Sequence, residues 1–309
     1  MYSAGQIRRG LRRVASNPSF FGRELNRLYY QRLYNRPYNT DGVDVVMEDW
    51  DNLLVLDGCR YDLFDVRHDL PGTLESRQSR GSHTVEFLEA NFEGRTLHDT
   101  VYVTASPQLH RWRDRLDASF HDVVNVWDTD DWNDEHGTVL PETMVRYARE
   151  ANDEYPDKRL IVHFMQPHYP FINAPELTVD NRLEDGDGTD IWGKLMQGER
   201  DVSKETIWHA YRDNFDLVLD AVHDLLDDLV GKTVVTADHG NMIGERAEPV
   251  PIEEWGHPPG VYTDSLVTVP WLEYETGERK TIRTERPSET ELATDDTVTE
   301  RLQQLGYAE

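Results

Sequence analysis

Gly231-Lys232-Thr233-Val234-Val235-Thr236-Ala237-Asp238-His239-Gly240 is the stretch on which the reading of this chain turns. Its first half is a short apolar run opened by glycine, the pattern of a strand buried on both faces. Its second half ends in a carboxylate and an imidazole. Upstream, Ile207, Tyr211, Phe215, Val218, Val222, Leu225 and Leu229 recur at three- and four-residue intervals, which predicts a long helix. Ser203 is placed to cap its start, and Gly231 to end it. Helix, glycine, apolar strand is one unit of an open parallel sheet. Leu53-Leu54-Val55-Leu56 and Arg159-Leu160-Ile161-Val162-His163-Phe164 read as two more such strands. The expected class is therefore α/β, a mostly parallel open sheet covered by helices on both faces.

Ligands of such sheets gather at the carboxyl ends of the strands. The first run leads into Asp57-Gly58-Cys59-Arg60-Tyr61-Asp62, the second into Gln166-Pro167-His168-Tyr169-Pro170, and the third into Asp238-His239. His257, in Trp255-Gly256-His257-Pro258, lies just before the apolar run Leu266–Leu272. Asp and His together suit zinc, manganese or similar ions. Each piece has a bland alternative. A strand-end Asp is commonly a turn or cap residue, and a His beside Pro a loop residue. The argument rests on all of them following one another at strand ends.

Charge divides the chain. It has 309 residues with 59 acids against 32 bases, net −27, and only five of the bases are Lys. Hydrophobic residues at 38% are enough for a core, so wholesale disorder is excluded. A surface this acidic repels nucleic acid and suits very high salt, where self-repulsion is screened, or a cationic partner. Yet residues 1–36 hold eight Arg and one acid, Glu24. Ile7, Leu11 and Val14 share a helical face there, and Phe20, Phe21, Leu25, Leu28, Tyr29 and Leu33 follow Pro18. This arm has two readings, peripheral contact with an anionic membrane or folding onto the protein's own acidic body. The expected organisation is a basic helical arm over 1–50, a catalytic core over 51–275, and a polar linker with a final helix over 276–309. One cysteine, Cys59, excludes an internal disulfide. No apolar run approaches the length of a membrane span, and the start lacks an apolar secretory stretch, so the expected location is the cytoplasm.

From about Asp51 to Leu272 the motifs resemble the alkaline phosphatase superfamily. Within it they are similar to the sulfatase-like branch of sulfatases, phosphonate monoester hydrolases and lipoteichoic acid synthase. Leu54-Val55-Leu56-Asp57-Gly58-Cys59-Arg60-Tyr61-Asp62 is similar to the family's opening strand and Asp-x-x-Arg-x-Asp. His163 to Phe171 is similar to its His-x-x-x-Pro-His-x-Pro-Tyr segment. Asp238-His239-Gly240-Asn241-Met242-Ile243-Gly244-Glu245 is similar to its Asp-His-Gly-x-x-x-Gly-Glu. Gly256-His257 and Val269-Pro270 follow in the family's order.

The resemblance implies an alkaline phosphatase-like core and a divalent ion, zinc or manganese, with calcium or magnesium as alternatives. Its implied ligands are Asp57, Asp238 and His239. His168 and His257 would face an anionic ester or hold a second ion, for which Gln166 stands where a carboxylate is expected. Arg60 reads as a helix-start ion pair with Asp62, with substrate contact as the alternative. The nucleophile falls in Ser79-Arg80-Gly81-Ser82-His83-Thr84-Val85-Glu86-Phe87-Leu88. Ser82 is the preferred residue. Thr84, by likeness to phosphoethanolamine transferases, is the other. Ser82 and Glu86 also read as a capping pair, and a helix start is itself an anion site. Cys59 lacks the Cys-x-Pro/Ala-x-Arg of a sulfatase and reads as a small buried residue. The implied activity is a metal-dependent hydrolase or transferase of phosphate esters. A sulfuric ester hydrolase and a degenerate sulfatase-like binding protein are the alternatives.

Overall fold

The computed structural model describes residues 19–33, 36–177, 191–199, 201–287 and 295–307. The strands are β1 (Asn52–Leu56), β2 (Thr73–Gln78), β3 (Thr96–Thr104), β4 (Ser119–Asn125), β5 (Arg159–Phe164), β6 (Gly231–Ala237), β7 (Met242–Arg246), β8 (Glu253–Gly256) and β9 (Thr268–Thr276). Seven of them form one sheet in the order β2-β9-β6-β1-β5-β3-β4, and β7 and β8 pair as a separate hairpin. β6, β1, β5, β3 and β4 are mutually parallel, while β9 runs antiparallel to both β6 and β2. The class is α/β with a mostly parallel sheet, as the sequence predicts.

Alternation along the strands sorts side chains into two cores. Leu54, Leu56, Val101, Val103, Leu160, Val162 and Val235 enter one cluster; Leu53, Val55, Tyr102, Ile161 and Val234 enter another. The period of two places these sets on opposite faces of the sheet. The first face is covered by the helices Tyr61–Arg67, Pro141–Glu154, Ile191–Gln197, Lys204–Leu226 and Asp295–Gln304. The second is covered by the helix Thr84–Phe92, which contributes Phe87, Leu88 and Phe92.

The predicted long helix spans Lys204–Leu226, and the Ser203 side chain accepts from the Thr206 amide as its cap. Among the described residues, no helix is long and apolar enough to cross a membrane. The described part of the arm is the helix Ser19–Arg27 with a wider turn over Leu28–Leu33. Arg23 pairs with the buried carboxylate of Glu254. The Asn26 side chain donates to the Val250 carbonyl at 3.0 Å and accepts from the Val250 amide at 2.7 Å. Ile7, Leu11 and Val14 lie outside the described residues.

Candidate metal centre and nucleophile

Register alone brings the two carboxylates together. Leu56 is level with Ala237 on β6 and with Phe164 on β5. Asp57 and Asp238 therefore leave adjacent parallel strands at the same height. The chain turns at once at Gly58, whose φ of +65° suits glycine, and its amide donates to Asp238 Oδ1 at 3.0 Å. The His239 amide donates to the same oxygen at 2.8 Å. Asp238 Oδ2 is thereby left facing inward, and neither it nor Asp57 Oδ1 has a hydrogen-bond partner among the described residues.

His239 completes the group. Its Nδ1–H donates to the Gly240 carbonyl at 2.7 Å, so Nε2 carries the lone pair. That Nε2 lies 3.3 Å from Asp238 Oδ2 and 3.5 Å from Asp57 Oδ1. Ligand atoms about 2.0–2.1 Å from a tetrahedral zinc stand about 3.3–3.4 Å apart. The spacing fits, and two orphaned carboxylate oxygens with no exposure are what such an ion would satisfy. Burying each carboxylate without a partner would cost on the order of several kcal/mol.

The electrostatics agree. Burial, then the Asp238 charge, push the Asp57 carboxyl well above its usual range. Burial also pushes Asp238 up, but the His239 and His163 rings prevail and hold it below its ordinary value. Burial lowers His168 to about 4 and His83 to about 3, and the neighbouring His239 adds to both shifts. His239 is lowered by burial, and His257 falls well below its ordinary value through burial and the facing His239 and His168 rings. At neutral pH the cluster thus presents imidazole lone pairs.

The two candidate nucleophiles part company here. Thr84 is the first residue of the helix Thr84–Phe92, after His83 as cap, and its Oγ1 lies 3.3 Å from both Asp57 Oδ2 and His239 Nε2. The preferred Ser82 faces away. Its Oγ is 2.9 Å from Glu86 Oε2 and 3.1 Å from the Pro258 carbonyl, and it accepts from the Gly260 amide at 2.8 Å. Ser82 and Glu86 do meet, but the helix cap is His83 and not Ser82, whose hydroxyl is held by Glu86 away from the carboxylates. Ser82 and Thr84 are both buried, and direction separates them: Thr84, and not the preferred Ser82, faces the carboxylates.

His168 and His257 sit beside the group but outside it. The His168 Nδ1–H donates to the Tyr169 carbonyl at 2.6 Å, so its Nε2 accepts from His257 Nε2–H at 2.8 Å. His257, expected also as a ligand, spends this nitrogen on His168, and the group with metal-ligand spacing is Asp57, Asp238 and His239. Gln166 points elsewhere, donating to the Val139 carbonyl at 3.1 Å. Arg60 forms the expected ion pair with Asp62, and also meets Glu245, the Asn241 carbonyl and the Trp208 ring. The Cys59 thiol is buried, and burial raises its pKa well above the usual value.

Sequence reasoning missed three supports. Tyr211 donates to the Gly58 carbonyl at 2.6 Å and accepts from the Arg60 amide at 3.1 Å. Asn214 donates to the carbonyls of His168 and Pro170 at 3.0 and 2.8 Å. Tyr211 reads in the sequence only as part of a helix face, and Asn214 carries no signal there. The third is Tyr307, whose hydroxyl reaches Asp57 Oδ2 at 3.1 Å.

No protein-family model and no curated protein sequence matches the chain. Solved structures do. The integral membrane lipooligosaccharide phosphoethanolamine transferase A from Neisseria meningitidis is similar at 12% identity and TM-score 0.46, over 74% of this chain and 48% of that one. The chain thus spans about half the length of that protein. A protein in the alkaline phosphatase superfamily from Vibrio parahaemolyticus is similar at 13% identity and TM-score 0.46, over 92% of this chain and 75% of that one. The C-terminal periplasmic domain of EptC from Escherichia coli, in complex with Zn, is similar at 12% identity and TM-score 0.43, over 76% of each chain.

Proposed function

We propose that the chain is a metal-dependent hydrolase or transferase of phosphate esters with Thr84 as its nucleophile. The observation that carries this reading is the position of Thr84 Oγ1, 3.3 Å from Asp57 and from His239 at a helix N-terminus. Asp57, Asp238 and His239 would hold one divalent ion. Zinc or manganese suits a set containing imidazole better than calcium or magnesium does. When bound, such an ion lowers the pKa of a hydroxyl and offsets the charge of an anionic ester.

The protein's own groups account for the remaining steps. Amides at the start of the Thr84 helix favour an anion. The Thr84 proton is within reach of Asp57 Oδ2. Its oxygen attacks phosphorus, the bond to the ester oxygen breaks, and that oxygen keeps the electron pair. Water supplies the proton that the leaving oxygen takes, because the His257 ring, held well below its ordinary pKa, is neutral. Water then releases phosphate from Thr84, or an acceptor hydroxyl takes the phosphoryl group. An unmodified hydroxyl favours phosphate over sulfate esters, because the buried Cys59 lacks the surrounding residues of a sulfatase. The reading includes a cytoplasmic location and peripheral contact of the arm with an anionic membrane surface. Phe21, Leu25 and Leu28 are 55%, 37% and 37% exposed at helical spacing, next to the Arg-rich first residues.

The test is a zinc and manganese titration, followed by assays on an aryl phosphate, a phosphodiester and an aryl sulfate with Thr84→Ala and Ser82→Ala alongside. Turnover surviving in Thr84→Ala overturns the nucleophile. Metal bound without turnover of any ester points to a binding protein instead, and turnover of the sulfate alone to a sulfuric ester hydrolase.

A further inference from the structure

Tyr307 lies beyond the last helix, in a segment whose sequence reads only as linker and short helix. That helix is firmly seated. Val298, Leu302 and Leu305 are buried in the larger core, and the Arg301 guanidinium lies over the Trp132 ring at 4.5 Å. Its end is closed by the Gly306 amide donating to the Gln303 carbonyl at 3.1 Å and the Tyr307 amide to the Leu302 carbonyl at 2.9 Å. Gly306 adopts φ +80°, and a Cβ there would sit 3.0 Å from the Tyr169 ring. This glycine-closed turn reverses the chain and aims the next side chain inward.

The side chain so aimed completes a symmetry in how the two carboxylates are held. Asp238 has Oδ1 fixed by two backbone amides, which leaves Oδ2 directed inward. Among the described residues, Asp57 has no such amide pair. Its Oδ2 is held instead by the Tyr307 hydroxyl at 3.1 Å and Thr84 Oγ1 at 3.3 Å, which leaves Oδ1 directed inward. The Tyr307 oxygen is also 3.3 Å from Thr84 Oγ1, and its ring lies parallel to His168 with centroids 5.4 Å apart. A phenol has one proton to give and lone pairs to accept with. Donation to Asp57 uses that proton, and the single Thr84 proton then turns either to Asp57 Oδ2 or to the Tyr307 oxygen.

We propose that Tyr307 is a positioning residue of this site. Its hydroxyl selects which oxygen of Asp57 faces the ligand cluster and orients the hydroxyl of Thr84. The inference rests on the function proposed above. A cover that must leave before substrate enters is the rival arrangement, and the depth at which Leu302 and Leu305 are anchored speaks against it.

The test is Tyr307→Phe in the full chain, which removes one oxygen and keeps the ring on His168, with Tyr307→Leu as the variant that also loses the ring. Zinc alone is titrated calorimetrically. The loss of an outer partner of a metal ligand is expected to weaken zinc binding by about 10- to 100-fold in Tyr307→Phe. Its melting temperature without metal should stay near that of the unaltered chain, whereas Tyr307→Leu should fall. On a turned-over ester, kcat should fall with KM held. Wild-type zinc affinity in Tyr307→Phe, or faster turnover in either variant, overturns the positioning role and favours a cover. If the unaltered chain binds zinc but turns over no ester, the proposed activity fails while the affinity ratio still decides Tyr307. If it binds neither zinc nor manganese, both proposals fall.

Discussion

Residues 19–33 and residues 295–307 are both short helical segments laid on the same α/β body, and both end at the start of the helix Thr84–Phe92. They meet it at different points. From the first segment, the Gln31 side chain donates to Glu86 Oε1 at 3.1 Å, and Glu86 in turn holds Ser82. From the second, Tyr307 reaches Thr84 and Asp57. The segment that carries Arg23, Arg27 and Arg32 of the basic arm supports the scaffold behind the helix start. The segment with no marked residue reaches the reacting end. A charge pattern reports where a segment finds counter-charge, here Glu254 for Arg23. Reaching a site depends on where a turn points one side chain, and charge says nothing about that.

The sharpest way to break this contrast is Thr84→Ala, expected to lower kcat by about a thousandfold or more while zinc affinity changes far less. Comparable turnover in Thr84→Ala and the unaltered chain would erase the difference between the two ends of the contact. Arg23→Ala comes next and acts on stability alone. It leaves the Glu254 carboxylate buried without its cation, expected to cost about 3 kcal/mol in chemical denaturation with kcat nearly unchanged. A large fall in kcat with intact folding would mean that the first segment also serves the chemistry. Ser82→Ala is expected to cost about 1–3 kcal/mol, since the Gly260 amide and Pro258 carbonyl lose their shared partner, with turnover reduced much less than in Thr84→Ala. The smallest effect concerns the outward face. Removing residues 1–18 should reduce co-sedimentation with anionic vesicles, and more so at low salt, while leaving the melting temperature within a few degrees. Unchanged sedimentation with a large drop in stability would make the arm purely a part of the fold.

The central strands were legible because β1, β5 and β6 are covered on both faces and read as unbroken apolar runs. β2 was not, because Thr73–Gln78 is an edge strand with no buried residue and no apolar run. The same rule explains the site. Asp57 and Asp238 were readable because each directly follows such a run, with His239 next to Asp238, and parallel register keeps the two carboxylates level. Ser82 and Thr84 were exchanged because the choice hangs on which residue begins a helix, and sequence patterns fix helix starts only to within a residue or two. The capping signal placed the helix start at Ser82 where the cap is His83, and the Ser82 oxygen is occupied by Glu86, Pro258 and Gly260. Tyr307 had no readable signal beyond the glycine before it.

Tyr211 and Asn214 stand three residues apart on one face of the helix Lys204–Leu226. One clasps the turn after Asp57, and the other clasps the loop of His168. Two loops that leave different strands thus share one fastening. Any partial opening that lifts this helix frees both loops together, so their amides should exchange with solvent as a single cooperative unit. On warming, the site would then be lost in one step, with no population that keeps a competent Asp57 beside a wandering His168.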